Sequence, residues 1–108
     1  MNEDAYLILD GGEIEAYSLE QIDIYQPRHP LATFIPVCMG HLGISVPYGI
    51  GAKLANPDRQ VISITGDGAF MFNIQDLETA ARLKLGNLIY IIGNNSSWDY
   101  LKKKKIRK

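Results

Sequence analysis

The sequence predicts an α/β fold, a parallel sheet with helices on both faces and so three layers deep. Three observations carry this. Short apolar runs at residues 5–10, 61–65 and 88–92 have the length and continuity of strands buried on both faces. Stretches with helical spacing of apolar residues alternate with them, as in a sheet of parallel strands joined by helices. Turn residues then follow each run, Gly11-Gly12 after the first, Gly66-Asp67-Gly68 after the second and Asn94-Asn95 just past the third. That order brings a carboxylate and an amide oxygen to one edge of the sheet, the edge where open α/β sheets bind ligands.

The first strand spans residues 5–10 and stops at Gly11-Gly12. A glycine pair there either lets backbone approach a ligand closely or makes a turn that needs positive φ. Residues 13–26 read as a helix through Ile14, Tyr17, Leu19, Ile22 and Tyr25, and Pro27 ends it. His29, in the loop with Arg28 and Pro30, has no partner at metal-ligand spacing and reads as a surface residue. Residues 31–38 are apolar but contain Pro36, which suits a short edge strand or an extended connection better than a central strand. Ser45 and Pro47 are helix-start residues, and Asn56-Pro57-Asp58 stops that helix after Ala55. Gly49 and Gly51 inside it each cost about 1 kcal/mol against alanine, so they point to close packing or a flat ligand. Asn73 reads as the cap of the next helix, with Asp76 completing a variant capping box. Ile74, Leu77, Ala81 and Leu85 form its apolar stripe with Ala80 beside it, and Gly86 stands where a C-terminal cap glycine belongs. The strand at 88–92 has no further crossover after it, so the sheet is expected to keep an open apolar edge.

The 108 residues have room for one domain with a modest core. The net charge of −1 conceals an asymmetry. Six of the 11 basic residues (Lys102, Lys103, Lys104, Lys105, Arg107 and Lys108) lie in the last seven positions, leaving five against 12 acidic residues in residues 1–100. A body this acidic does not suit nucleic acid, and the terminal run reads as a solvated basic tail over 101–108. No apolar run approaches the ~20 residues of a membrane helix. A single cysteine, Cys38, rules out an internal disulfide and fits a reducing, cytoplasmic setting. The acidic start Met1-Asn2-Glu3-Asp4 is neither a signal nor a transit peptide.

The chemistry concentrates at Asp67. Backbone N–H groups of a strand-end turn and of a following helix start can cradle phosphate. A carboxylate in that cradle repels phosphate unless a cation bridges the two. Mg²⁺ fills that role, because it takes oxygen ligands and is held by one or two protein groups plus substrate phosphates. Asn95, from the neighbouring strand end, supplies an amide oxygen, and a backbone carbonyl such as that of Ser97 supplies a third. The residues alone therefore indicate a Mg²⁺–diphosphate site. A dinucleotide site is not indicated, since Asp10-Gly11-Gly12-Glu13 lacks the Gly-x-Gly-x-x-Gly spacing.

Gly66-Asp67-Gly68, 25 intervening residues and then Asn94-Asn95 resemble the thiamine-diphosphate motif of the acetolactate synthase and pyruvate decarboxylase superfamily. Residues 39–55, 55–61 and 72–85 are similar to its acetolactate synthase large-subunit branch. The resemblance covers residues 5–100 and implies the thiamine-diphosphate-binding fold, C-terminally truncated, with a partial cofactor domain over 1–100. It implies Mg²⁺ on Asp67, the Asn95 side chain and the Ser97 backbone oxygen. It implies diphosphate contacts from Gly66, Gly68 and Ala69, an aminopyrimidine contact from the Gly40 backbone oxygen, and Leu42 under the thiazolium. Gly86 replaces a frequent proline, and Ser96-Ser97 replaces a glycine-containing segment, a change that a backbone ligand tolerates. The implied activity is decarboxylation of a small 2-oxo acid followed by ligation or release. The implied partner is a pyrimidine-binding domain, on another chain or a homodimer mate, carrying an activating glutamate that nothing here resembles. The expectation is a cofactor-binding portion inactive by itself; the alternative is a non-catalytic relic or assembly subunit.

Overall fold

In a computed structural model, which describes residues 2–21, 32–35 and 40–98, the three apolar runs form β1 (Tyr6–Asp10), β3 (Val61–Gly66) and β4 (Leu88–Gly93). A two-residue strand, β2 (Thr33–Phe34), joins them. All pairings are parallel and the order is β2-β1-β3-β4. Of the two expectations for this segment, an edge strand or an extended connection, the edge strand is observed at Thr33–Phe34, while Pro36, Cys38 and His29 lie outside the described residues. Among the described residues β4 forms the other edge, and its Ile89, Ile91 and Ile92 are exposed.

Leu7, Ile8 and Leu9 of β1 are at most 1% exposed, each stabilising the fold by about 1.5–3 kcal/mol. Residues alternate between faces along each strand. One face packs against α2 (Ser45–Ala55): Ile8 and Val61 meet Ile44, and Val46 and Ile50 meet Phe70, with Leu88 and Tyr90 alongside. Gly49 allows this closeness, because a Cβ there would stand 2.8 Å from the Tyr90 hydroxyl oxygen; Gly51 points to open space. Burial against this layer pushes the Tyr90 phenol up to about 12. The opposite face carries α1 (Gly12–Glu20), whose Ile14 side chain seats on Gly66 and Gly93. Helices therefore lie on both faces. The expected helix over 13–26 is observed as far as Glu20, and Ile22 and Tyr25 lie outside the described residues.

Three local signals show their detail in the structure, two of them differently from expectation. Ser45 does start α2 as expected, but as the first helical residue with no side-chain cap: its N–H donates to the buried carboxylate of Asp10 at 2.8 Å. That carboxylate also favours the positive end of the helix dipole. Asn73 likewise makes no side-chain cap. It precedes a single 3₁₀ turn (Ile74–Asp76) and donates from Nδ2 to the Gly43 carbonyl at 2.7 Å. The helix after it, α4 (Leu77–Arg82), ends on Lys84 rather than Gly86. Lys84 has φ +52°, its N–H reaches the Ala81 carbonyl, and the Leu85 N–H reaches that of Ala80, a Schellman arrangement. From the expected stripe, Leu77, Ala80 and Leu85 pack on the core, whereas Ala81 is exposed and Ile74 sits at the boundary.

The two ends of the sheet differ. At the N-terminal end, the buried Lys53 ammonium donates to the Arg59 carbonyl at 2.5 Å, and the Arg59 guanidinium covers the Tyr6 ring at 4.1 Å. At the C-terminal end, residues following β1, β3 and β4 line a cavity. No helix among the described residues is long and apolar enough to cross a membrane.

Candidate functional site

The register of β3 and β4 pairs Gly66 with Gly93, so Asp67 and Asn94 leave adjacent strand ends together. The chain passes from extended Gly66 straight into a short helix, α3 (Asp67–Met71), with Asp67 as its first residue. This helix is absent from the sequence reading, which has only a turn there. Its glycine and small residues fit close surroundings: Ala69 is buried against Gly11, and a Cβ on Gly68 would stand 3.0 Å from the Trp98 indole.

The paired asparagines form tandem Asx turns. Asn94 Oδ1 accepts from the Ser96 N–H at 2.9 Å and from its hydroxyl at 3.1 Å, and Asn95 Oδ1 accepts from the Ser97 N–H at 3.0 Å. Asn95 Nδ2 donates across the cleft to Glu13 Oε2 at a long 3.5 Å, while the Tyr17 hydroxyl donates to Glu13 Oε1 at 3.2 Å. With its nitrogen turned to Glu13 and one lone pair on the Ser97 N–H, the Asn95 oxygen keeps a second lone pair for another partner.

Gly11 bears out the positive-φ reading of the glycine pair. Its φ is +99°, and a Cβ would lie 2.9 Å from both the Gly66 nitrogen and the Ala69 Cβ. The pair makes a turn with positive φ that approaches the Gly66 backbone and the Ala69 side chain closely, and both glycines also line the cavity described next.

Between α1 and the strand ends lies a cavity of about 690 Å³. Every residue nominated from sequence lines it: Gly40, Leu42, Gly66, Asp67, Gly68, Ala69, Asn95 and Ser97. Sequence reasoning missed the contribution of α1, which gives Ile14, Tyr17 and Leu19 as an apolar wall and Glu13 and Glu15 as carboxylates. It also missed Trp98, half-exposed at the rim and edge-on to Phe72 with ring centroids 6.2 Å apart. A smaller hollow of about 290 Å³ beside Leu85 and Tyr90 is separate from these residues.

Among the described residues the lining holds three carboxylates (Glu13, Glu15 and Asp67) and no lysine, arginine or histidine. An anionic ligand there would depend on backbone N–H groups and a bound cation. Asp67, the free lone pair of Asn95 and the Ser97 carbonyl are hard oxygen donors of the kind Mg²⁺ takes. No group of three His, Cys, Asp or Glu gathers among the described residues, so amide, carbonyl and ligand oxygens would have to complete such a coordination shell. The Glu15 carboxyl is held above its ordinary value, chiefly by burial and then by the charge of Asp10, against a lowering contact from the Gly11 backbone. Folding therefore favours protonated Glu15, and ionising it as pH rises through the ordinary glutamate range costs stability. Glu15→Gln is expected to raise the melting temperature at pH 7, with the gain closing as pH falls below 4.5, the ordinary value. Melts across that range check the sign.

Residues 10–107 match the family model described as thiamine pyrophosphate enzyme, C-terminal TPP binding domain. The chain is 33% identical over 96 residues to an acetolactate synthase of Bacillus subtilis (strain 168), covering 89% of this chain and 17% of that protein. It is 32% identical over 104 residues to 2-hydroxyacyl-CoA lyase 2 of Mus musculus, covering 96% and 16%. Its fold superposes with a TM-score of 0.71 on an X-ray structure from Mycobacterium smegmatis, of a protein proposed to be thiamin diphosphate-dependent. Identity there is 28%, over 87% of this chain and 18% of that one. The chain spans less than a fifth of the length of each of these relatives.

Proposed function

The chain belongs to the thiamine pyrophosphate enzymes, within the C-terminal cofactor-binding domain of that family, and on that premise we propose that it is the Mg²⁺–thiamine-diphosphate-binding portion of a 2-oxo acid decarboxylase or carboligase. The observation that carries this is convergence. Residues from four separate segments line one cavity at the C-terminal edge of the sheet, with oxygen donors grouped at the ends of β3 and β4 and the apolar wall on α1 and at Leu42. Asp67, the Asn95 side chain and the Ser97 carbonyl hold Mg²⁺, and the backbone at Gly66, Gly68 and Ala69 meets the diphosphate. The Gly40 carbonyl meets the aminopyrimidine, and Leu42 supports the thiazolium. When bound, the cofactor supplies an electron sink for breaking or forming a carbon–carbon bond, while the protein binds, orients and excludes water. A pyrimidine-binding domain, on another polypeptide or a second subunit, completes the cavity. Alone, the chain binds cofactor without turning over substrate.

Trp98 is the single tryptophan of the chain and lies against Gly68, so its fluorescence reports occupancy directly. Titration with thiamine diphosphate is expected to give a saturable change in Mg²⁺ and little without it. An unchanged signal, together with no heat in calorimetry, rejects a retained cofactor site. Steady consumption of pyruvate by the purified chain alone rejects the half-site reading.

A further inference from the structure

The peptide of Gly43 is held from both sides by side chains that belong to neither the cavity nor the segment itself. Its N–H donates to Asp10 Oδ1 at 3.1 Å, and its carbonyl accepts from Asn73 Nδ2 at 2.7 Å. The other Asp10 oxygen takes the Ser45 N–H at 2.8 Å. Asp10 is fully buried at the end of β1, and Asn73 is half-buried between α3 and the 3₁₀ turn. Gly43 itself has φ +89°, and a Cβ on it would stand 2.7 Å from Phe72 Cβ. The segment has no freedom to slide at that point. Immediately before it come Gly40 and Leu42, which line the cavity.

We propose that Asp10 and Asn73 are positioning residues: together they clamp Gly43 and so fix Leu42 and Gly40 against the cavity. The inference rests on the cofactor reading for its ligand but not for its mechanical content. A carboxylate suits the task on one side because its two oxygens take two backbone N–H groups that would otherwise be buried without partners. An amide suits the other, since only a donor can face a carbonyl. Asp10 reaches 33 and 35 residues along the chain and Asn73 reaches 30, so these three bonds tie the β1 end, the α2 start and the α3 exit together around Gly43. The consequence is a division of the site. The end at Gly66 and Asp67 is set by β3 and α3, whereas the end at Gly40 and Leu42 is set by the clamp.

The test exploits that division. Asn73→Ala removes the donor at a half-buried position without adding charge, and Asp10→Asn exchanges an acceptor for a donor facing a backbone N–H. Binding of Mg²⁺–thiamine diphosphate and of Mg²⁺–pyrophosphate is read for each through Trp98 and by calorimetry. Asn73→Ala is expected to weaken the whole cofactor about tenfold while moving pyrophosphate by less than about twofold. Amide exchange at Gly43 and Ser45, measured without ligand, should accelerate by about tenfold or more. Equal weakening of both ligands overturns the proposal, as does unchanged exchange at the two amides. If the unsubstituted chain binds neither ligand, the cofactor reading fails instead, and amide exchange in Asn73→Ala still decides whether the clamp holds the segment. Should Asp10→Asn fail to fold, Asn73→Ala alone carries the decision.

Discussion

Asp67→Ala is expected to weaken Mg²⁺-dependent binding of thiamine diphosphate by this chain by about a hundredfold or more, since even residues that only support a metal ligand cost about 10–100-fold when replaced. The reason lies in the charges of the cavity. Asp67 is the one carboxylate in the proposed donor set; Asn95 and Ser97 contribute neutral oxygens. Glu13 and Glu15 remain on the opposite wall and repel an anionic diphosphate. Without Asp67 the cation that offsets this repulsion is held only weakly. The fold, by contrast, should lose little. Asp67 opens α3 without a side-chain cap, so its loss removes only a favourable charge at a helix start, about 0.3–1 kcal/mol. The combination is diagnostic: melting almost unchanged, Trp98 response to cofactor lost. Asp67→Asn keeps an oxygen but not the charge and should fall between the two. An Asp67→Ala chain that binds as tightly as the parent, with the same dependence on Mg²⁺, would remove Asp67 from the metal site.

How far the sequence alone could reach is clearest from what its signals depend on. The strands were legible because burial on both faces leaves a run of apolar residues that needs no partner to recognise. Their parallel arrangement followed from the helices between them. The convergence of Asp67 and Asn95 was legible for a geometric reason, since parallel neighbours end at one edge, and the Gly66–Gly93 pairing places them there. The misses share a different property. Asn73 looks like a cap when only the next three residues are in view, yet its amide bonds Gly43, 30 residues earlier. Asp10 looks like the end of a strand, yet it anchors a helix start 35 residues on. Glu13 reaches Asn95 across 82 residues. Local rules rank what a side chain can do with its own backbone, and tertiary packing offered these three something else. Gly86 is the converse case: Lys84 accepted a left-handed conformation two residues earlier and left the glycine nothing to do. Trp98 had a signal that went unused, because it directly follows Ser97.

Gly11→Ala and Gly51→Ala, the same chemical change, are expected to move stability in opposite directions. Gly51 lies inside α2, exposed, with nothing within 4 Å of the added methyl group. Alanine there removes backbone entropy from the unfolded chain at no steric cost and should stabilise by about 0.5–1 kcal/mol. At Gly11 the φ of +99° is unfavourable for any residue with a Cβ, and the methyl group would meet the Gly66 nitrogen and the Ala69 Cβ at 2.9 Å. Strained backbone costs about 1–3 kcal/mol, and overpacking adds a similar amount. One of the opposing atoms is backbone and cannot rotate away, so about 3 kcal/mol in total is a fair expectation. For a domain whose whole stability is of order 5–15 kcal/mol, that lowers the melting temperature by roughly ten degrees or more. The displaced atoms belong to Gly66 and Ala69, so whatever part of Gly11→Ala stays folded should also bind Mg²⁺–pyrophosphate more weakly, while Gly51→Ala binds it as the parent does. Thermal melts of the two variants beside the parent, followed by pyrophosphate titration below the lower transition, test both halves. Equal melting of Gly11→Ala and the parent would mean that the β1 turn and the Gly66 backbone are not in the close contact described above.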